Sequence, residues 1–260
     1  MTAIYENYES PWMDDELSIL RDAANRFFST EFVPHKDRWI EQGKVDRDAW
    51  NKAGEAGLLC AEIPAQYGGG GGDYRHETIV TEEQLGAGIS GFGNQVHSQI
   101  VAPYLLHYGN EEQKQKWLPK MATGEMVGAI AMTEPNTGSD LQNVKTSATK
   151  KGDSYVINGA KTYITNGIHA DLVVLVAKTD PNLGAKGISL IIVEANTKGF
   201  NKGRNLKKLG LNSGDTAELF FDDCVVPRAN LLGPEEGKGF IQLMQQLPQE
   251  RLSLAQGAVV

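Results

Sequence analysis

The stretch Met132-Thr133-Glu134-Pro135-Asn136-Thr137-Gly138-Ser139-Asp140 follows a short apolar run at 127–132. Pro135 lacks the amide hydrogen that a β-sheet ladder needs, and Gly138 tolerates positive φ, so the stretch predicts a strand that ends in a polar loop. The loop combines three hydroxyl groups with the backbone amides around its glycine. Such donors can bind a phosphate or a carbonyl-rich ring, although the same residues are also typical of an ordinary turn.

Length, composition and charge limit the classes of function. The chain has 260 residues, of which 40% are hydrophobic and 22% are charged. These values are typical of a globular protein with a large core and room for two domains. A net charge of -8 argues against nucleic-acid binding. Four basic residues could still bind one small anion: Lys202, Arg204, Lys207 and Lys208. No apolar run approaches the roughly 20 residues that a membrane span needs.

Two further features of the sequence are informative: the cellular compartment that it favours and the lack of metal-ligand spacing. Cys60 and Cys224 lie far apart in the sequence and predict no disulfide framework, which fits a reducing compartment. Residues 1–17 have neither the apolar core of a signal peptide nor the arginine-rich character of a transit peptide. We therefore expect a cytoplasmic protein. The five histidines show no metal-ligand spacing, so we expect no metal.

Residues 1–124 carry a helical pattern of apolar residues and predict an N-terminal helical domain. The first helix should begin behind the acidic residues 14–16 and end before Pro34. Asn110 with Gln113 is the signature of a capping box. Five glycines at 68–72 lack the strand, lysine and hydroxyl of a phosphate-binding loop, and therefore predict a connecting loop. The other predicted helices are 47–56, 77–85, 100–108 and 110–121.

Residues 125–236 change to short β-branched and aromatic runs between turn residues, which predict a β domain. Asn158-Gly159, between two of these runs, predicts the tight turn of a hairpin. The helical period returns in 237–260 and resumes past Pro248. Because its apolar face stops without a cap, we expect either that the chain is cut short inside this helix, at the start of a further helical domain, or that the remainder is supplied elsewhere. The predicted strands are 127–132, 146–149, 155–157, 162–164, 172–177, 188–193 and 219–221.

Four motifs follow one another along the chain. They are Met-Thr-Glu-Pro with Gly-Ser-Asp in 132–140, Lys-Thr-Tyr-Ile-Thr-Asn-Gly at 161–167, Gly-Pro-Glu-Glu-Gly-Lys-Gly-Phe at 233–240 and Pro-Gln-Glu-Arg-Leu at 248–252. Taken in this order, they resemble the acyl-CoA dehydrogenase family. The last motif is most similar to the long-chain branch of the family. The resemblance implies an α+β fold with an N-terminal helical domain, a β-barrel or sandwich domain and the start of a C-terminal helical bundle. Thr137 departs from the family's usual alanine and would stiffen the loop or crowd the cofactor.

The resemblance implies FAD as cofactor, which accepts a hydride from the β-carbon of an acyl-CoA while a carboxylate removes an α-proton. Threonine hydroxyls and backbone amides can bond the polar edge of the flavin ring, and Tyr163 can pack against it. Without the motif, Tyr163 would be interpreted as a core residue of a strand. The flavin contacts implied are Ile130, Met132, Thr133, Gly138, Ser139, Tyr163, Ile164 and Thr165.

The resemblance also implies the catalytic base. The long-chain and isovaleryl-CoA branches carry it directly before the arginine of the last motif, which is Glu250 here, whereas other members carry it in the C-terminal helical domain. Burial beside the substrate would raise the pKa of this carboxylate toward the working pH. Without the motif, a glutamate next to an arginine on a helix predicts a solvated surface charge.

Substrate contacts are implied on the same grounds. Lys186 is available to pair with a phosphate of CoA, although a lysine before a glycine is also typical of a solvent-facing loop. The full set of implied substrate contacts is Ser139, Lys186, Gly187, Ile241, Pro248, Gln249 and Arg251.

The resemblance implies dehydrogenation of a medium- to long-chain acyl-CoA in fatty-acid β-oxidation, electron-transferring flavoprotein as acceptor, and a homotetramer for the full-length protein. Three alternatives stay open. The first is a dehydrogenase for a short branched (isovaleryl-type) acyl-CoA, which a blocked pocket around 100–106 and Ile241 would favour. The second is a flavin oxidase or monooxygenase on the same fold. The third is a non-catalytic acyl-CoA-binding or scaffold protein, against which Glu250 argues because a binder needs no base.

Overall fold

The computed structural model describes residues 10–260. Its first part is helical, as predicted, and α1 begins where the side chain of Asp14 accepts a hydrogen bond from the backbone N–H of Leu17. The predicted capping box is present, because the side chains of Asn110 and Gln113 each accept from the backbone N–H of the other. A π-helical segment, Gln95–Val101, leads directly into α5. The helices are α1 Asp15–Phe27, α2 Lys36–Gln42, α3 Arg47–Glu55, α4 Tyr74–Gly86, α5 Ala102–Tyr108 and α6 Glu111–Ala122.

The five glycines at 68–72 form a connecting loop before α4, as predicted. Three of their N–H groups, those of Gly70, Gly71 and Gly72, donate to backbone carbonyls within 60–63. These amides are therefore used inside the fold rather than offered to a phosphate.

The second part is one curled, mostly antiparallel sheet of seven strands. β1 pairs in parallel with β4, and β5 pairs with β4 in antiparallel fashion. β3 pairs with both β2 and β7, and β6 adds to β7. A single pair, Ser147 with Lys178, joins the two groups of strands. The strands are β1 Gly128–Ala131, β2 Ser147–Lys151, β3 Ser154–Thr165, β4 Leu172–Lys178, β5 Ile188–Glu194, β6 Phe200–Asn205 and β7 Thr216–Pro227.

The hairpin turn predicted at Asn158-Gly159 is wrong. The pair lies inside β3, where the register against β7 shifts between Ile157 and Gly159. A Cβ on Gly159, which has a φ of +153°, would come within 2.4 Å of the Thr146 hydroxyl, so glycine is required by a close approach rather than by a turn. The turn between β2 and β3 lies instead around Gly152, whose φ is +58°.

β4 is buried along its whole length and separates two apolar cores. Residues 172, 174 and 176 face a cluster that we call the helix–sheet core, which includes Tyr104, Leu105, Trp117 and Leu118. Residues 173, 175 and 177 face a second core inside the curled sheet. A third cluster holds the first four helices together around Trp39 and Trp50.

The last helix, α7, runs from Gly239 to Val259 and contains Pro248. It packs across β5 at its start, where a Cβ on Gly239 would lie 2.7 Å from the backbone of Ser189. Phe240 and Met244 of α7 contact the helix–sheet core. Within residues 10–260, no helix has the length and apolar character to cross a membrane. The domain boundaries after 124 and 236 stay a prediction.

Candidate active site

The two segments to which the resemblance assigns the flavin are 132–140 and 161–167, and they are joined side by side. We call them the flavin-motif segments. The backbone N–H of Thr162 donates to the carbonyl oxygen of Thr133 over 2.9 Å. The Nζ of Lys161 donates to the carbonyl oxygen of Met132 and to Oε1 of Glu134, each over 2.9 Å. The segment that follows β1 and the end of β3 therefore lie side by side. The buried side chain of Lys161, on β3, bonds one segment to the other.

Glu134 and Lys161 form a buried ion pair that the sequence analysis did not identify. Their side chains are 6% and 0% exposed. The Glu134 carboxylate also accepts from the backbone N–H groups of Lys145 and Thr146. Burial opposes its charge, but the Lys161 ammonium and these N–H groups outweigh burial and lower the pKa of Glu134. Burial lowers the pKa of Lys161 to about 8.

The loop after β1 divides into a closed turn and an open end. Glu134 and Thr137 exchange two backbone hydrogen bonds, and the Thr137 hydroxyl donates to the carbonyl oxygen of Asn143 over 3.3 Å. Thr137 is 5% exposed, so its hydroxyl stabilises the turn and is not offered to a ligand. Gly138 and Ser139 are exposed, and nothing lies within 4 Å of the Cβ position at Gly138.

Tyr163 is the most unusual residue of the second segment. Its side chain is 69% exposed and its φ is +58°, which is uncommon for an aromatic residue. It lies where the β3–β7 register shifts between Lys161 and Ile164. The interpretation of Tyr163 as a core residue is therefore wrong. Ile164, in contrast, is 3% exposed and packs inside the curled sheet, so only its backbone atoms face the site.

The other implied flavin contacts are half-buried: Ile130, Met132, Thr133 and Thr165. Ile130 and Met132 also contact the helix–sheet core, which contains Tyr104. The same core contacts Phe240 and Met244 of α7. One apolar cluster thus links β1 and the residue after it to the helix that carries Glu250.

Glu250 is buried on α7, with 8% of the residue exposed. The hydroxyl of Tyr104, from α5, donates to its Oε1 over 2.7 Å. Burial raises the pKa of Glu250, while the Tyr104 hydrogen bond and the charge of Arg251 act in the opposite direction. The interpretation of Glu250 as a solvated surface charge is therefore wrong, because the packing of α7 on α5 turns it inward.

The implied substrate contacts fall into separate groups. Lys186 and Ile241 line one cavity of about 480 Å³ between the turn 184–187 and the start of α7. Gly187 is buried, and its carbonyl oxygen accepts from the N–H of Thr179. Pro248 and Arg251 are exposed on α7. Residues 100–106 do not line the cavity that Ile241 lines.

Gln249 connects α7 to a pair of acids, of which Glu62 is half-buried and Glu77 is buried. Its Nε2 donates to Oε1 of Glu62 over 2.9 Å and to the carbonyl oxygen of Gln99 over 3.3 Å. The N–H of Glu62 in turn donates to Oε1 of Glu77, which is 0% exposed. Burial raises the pKa of Glu62, and it raises the pKa of Glu77 to about 8. The sequence contains no signal for this pair, because the two acids meet only through the fold.

Glu77 should make stability depend on pH. Its pKa in the folded state is about 8 and its usual value is 4.5, so the folded state keeps a proton that the unfolded state releases. This contribution to stability is complete below about pH 4.5 and is lost as pH rises toward 8, by up to about 1.4 kcal/mol per pH unit. Glu77→Gln should flatten this slope, as measured by thermal unfolding of the full-length protein at pH 5, 6.5 and 8.

The matched control is Glu41→Gln, at an exposed position on α2, which should keep the wild-type slope. Equal slopes in wild type and Glu77→Gln would show that Glu77 is ionised across this range and contradict the assignment.

Two of the basic residues considered for an anion site are bonded within the fold. The Nζ of Lys202 donates to the carbonyl oxygen of Ile168, and that of Lys208 donates to Gly214 and Thr216. Lys207 and Lys208 line one cavity, and a shared anion site for the four residues stays a prediction. No three histidine, cysteine, aspartate or glutamate side chains within residues 10–260 meet as metal ligands.

Two models of known protein domains match consecutive parts of the chain. The family model for the acyl-CoA dehydrogenase N-terminal domain matches residues 14–125, and that for the middle domain matches residues 129–224. The chain is 50% identical over 246 residues to the mitochondrial long-chain specific acyl-CoA dehydrogenase of Sus scrofa, covering 94% of this chain and 57% of the relative. It is 41% identical over 251 residues to the mitochondrial isovaleryl-CoA dehydrogenase of Pongo abelii, covering 94% of this chain and 59% of the relative.

The fold agrees with these sequence matches. The crystal structure of acyl-CoA dehydrogenase from Geobacillus kaustophilus superposes with a TM-score of 0.93 at 50% identity, covering 96% of this chain and 66% of that chain. The chain spans only part of its relatives' length, 57% in the case of the long-chain relative from Sus scrofa. Because the two family models together match most of the chain, in the order that the motifs predict, the chain belongs to the acyl-CoA dehydrogenase family.

Proposed function

We propose that the full-length protein is an FAD-dependent dehydrogenase that converts a medium- to long-chain acyl-CoA to the trans-2-enoyl-CoA in fatty-acid β-oxidation. The observation that carries this proposal is the buried carboxyl group of Glu250, bonded to Tyr104. A protein that only binds acyl-CoA needs no base, whereas proton abstraction needs one. The 50% identity to a long-chain specific relative supports the chain-length class.

The flavin-motif segments fit FAD. Tyr163, with an exposed ring and positive φ, lies next to Thr162, which joins this segment to Thr133. Gly138 and Ser139 are exposed in the loop that follows Thr133. The ring can stack on a flavin, and the amides and hydroxyls can bond its polar edge. When bound, FAD would accept the hydride from the β-carbon of the substrate. Ile130, Met132, Thr133, Thr165 and the backbone of Ile164 complete the proposed contacts.

Glu250 acts as the base in this proposal. Its carboxylate would take the α-proton of the acyl group, which the thioester already acidifies. Because burial raises the pKa of Glu250, the carboxylate is a stronger base than a solvated one. The side chain is held in position from α5, so no reorientation of a flexible surface group is required.

The CoA part of the substrate is proposed to follow the cavity between Lys186 and Ile241. The Lys186 ammonium can pair with a phosphate group, and Ile241, which is 52% exposed, offers an apolar wall. Ser139, Gly187, Pro248, Gln249 and Arg251 are proposed as the remaining contacts along the path from this cavity to Glu250.

Partners and location are part of the proposal. Electron-transferring flavoprotein is proposed as the electron acceptor, and the full-length protein is proposed to be a homotetramer. A cytoplasmic location is proposed from the two free cysteines, which fit a reducing compartment.

The test of this function is a product analysis over a panel of substrates. The purified full-length flavoprotein is incubated with saturated acyl-CoA esters from four to eighteen carbons and with isovaleryl-CoA, using an artificial electron acceptor. We expect trans-2-enoyl-CoA from the medium and long chains. Preference for isovaleryl-CoA would favour the branched-chain alternative, which the 41% identical relative supports. Consumption of oxygen without any added acceptor would favour an oxidase.

Tyr163→Ala should weaken FAD binding by about tenfold, because it removes the aromatic ring that is proposed to stack on the flavin. The dissociation constant is measured by FAD titration of the full-length apoprotein, followed by quenching of flavin fluorescence. Tyr163→Phe keeps the ring and should bind FAD like the wild type. Equal affinity in all three proteins would remove Tyr163 from the flavin site.

A further inference from the structure

Tyr104 contacts the proposed base directly, although no motif of the sequence pointed to it. Tyr104 is 0% exposed in the helix–sheet core, and its hydroxyl donates to Oε1 of Glu250 over 2.7 Å. The two residues are 146 positions apart in the sequence and come from α5 and α7. This is the only hydrogen bond to the Glu250 carboxylate from residues 10–260, so Oε2 accepts none from that part of the chain.

The neighbouring polar groups are committed to other partners. The Tyr108 hydroxyl donates to Oε1 of Gln245 over 3.0 Å, and His107 contacts Gln246 over 2.8 Å. On the opposite side, Gln249 is bonded to Glu62 and to the carbonyl oxygen of Gln99. The one charge on α7 that acts on Glu250 is that of Arg251, which is exposed. Tyr104 is therefore the group that distinguishes the two carboxylate oxygens.

We propose that Tyr104 is a positioning residue for dehydrogenation, whose hydroxyl fixes Oε1 of Glu250 so that Oε2 takes the α-proton. The inference rests on the proposed function. In the reaction the α-C–H bond breaks and an O–H bond forms at Oε2. The electron pair of the broken bond forms the Cα=Cβ double bond as the β-hydrogen leaves as hydride to FAD. Tyr104 stays a donor throughout and loses no proton.

The hydrogen bond also affects the strength of the base. A donor to the charged form of a carboxyl group favours that form, so Tyr104 lowers the pKa of Glu250 against the effect of burial. Burial and the nearby Glu250 charge raise the pKa of Tyr104 far above its usual range, so the hydroxyl keeps its proton at every pH of interest. Removal of the hydroxyl should therefore raise the pKa of Glu250.

The test is the pH dependence of flavin reduction in the full-length flavoprotein under anaerobic conditions. The rate of flavin bleaching at saturating palmitoyl-CoA is measured from pH 5 to pH 9 in wild type, Tyr104→Phe and Tyr108→Phe. Tyr104→Phe should move the acidic limb upward by about one pH unit, which is about tenfold in rate on that limb, with palmitoyl-CoA affinity unchanged. Tyr108→Phe, which removes a neighbouring hydroxyl that does not bond Glu250, should keep the wild-type profile.

A second variant keeps the test decisive if Tyr104→Phe does not fold. Incorporation of 3-fluorotyrosine at position 104 retains the hydroxyl and makes it a stronger donor, so the acidic limb should move downward. Wild-type profiles in both Tyr104 variants would overturn the role of Tyr104 while leaving the proposed function intact. Absence of bleaching in the wild type would overturn both.

Discussion

Replacing Glu250 by glutamine should slow flavin bleaching by an acyl-CoA by about 10²- to 10⁴-fold. The amide has the shape of the carboxyl group and can still accept the Tyr104 hydrogen bond, but it cannot take a proton from the α-carbon. The rate is measured by anaerobic stopped-flow absorbance with palmitoyl-CoA. Binding of palmitoyl-CoA should be nearly unchanged, because only the proton transfer is removed.

Glu112→Gln, at an exposed position on α6, is the control for loss of one negative charge and should reduce flavin at the wild-type rate. A wild-type rate in Glu250→Gln would mean that the base lies elsewhere in the full-length protein, as it does in other branches of the family. The assignment of Glu250 would then be wrong, although the dehydrogenase activity would stand.

Lys161→Met should lower the free energy of unfolding by about 3–5 kcal/mol. The substitution leaves the Glu134 carboxylate buried without its ion-pair partner and leaves the Met132 carbonyl without the Lys161 donor. Because these bonds tie the two flavin-motif segments together, FAD affinity should fall as well. The measurements are urea denaturation and FAD titration of the full-length protein.

Two further variants distinguish the contribution of the ion pair to stability from a general effect of removing a lysine. Lys145→Met changes an exposed lysine in the same region and should alter stability by no more than about 0.5 kcal/mol. Adding Glu134→Gln to Lys161→Met removes the buried charge and should recover part of the loss. If Lys161→Met were as stable as Lys145→Met, the pair would contribute nothing to the site.

Sequence patterns predicted secondary structure well where the interactions that form it lie within a few residues of one another. The capping box of Asn110 and Gln113 is formed within three residues, so its sequence signature and its hydrogen bonds coincide. Asn158-Gly159 has an equally local signature, but the close approach of Thr146 decides its conformation. The dipeptide therefore lies at a register shift inside β3, because a contact from outside the strand overrides the turn preference.

Sequence motifs predicted individual residues of the site, but not the contacts between residues that are distant in the sequence. The motifs contain Met132, Tyr163 and Glu250. They do not show that Lys161 pairs with Glu134, and no motif contains Tyr104. Lys161 bonds Glu134 across 27 positions, and Tyr104 bonds Glu250 across 146 positions, so both contacts exist only after the sheet and α7 have packed. Burial of Glu250 likewise depends on the packing of α7 against α5, which a helical period alone does not specify.

The most direct test of the central claim is an anaerobic titration of the wild-type full-length flavoprotein with palmitoyl-CoA, following the visible absorbance of the flavin. We expect the bound flavin to be bleached in a stoichiometric reaction and trans-2-hexadecenoyl-CoA to be formed. A protein that binds no FAD, or one whose flavin stays oxidised with palmitoyl-CoA and every other acyl-CoA, would contradict the central claim.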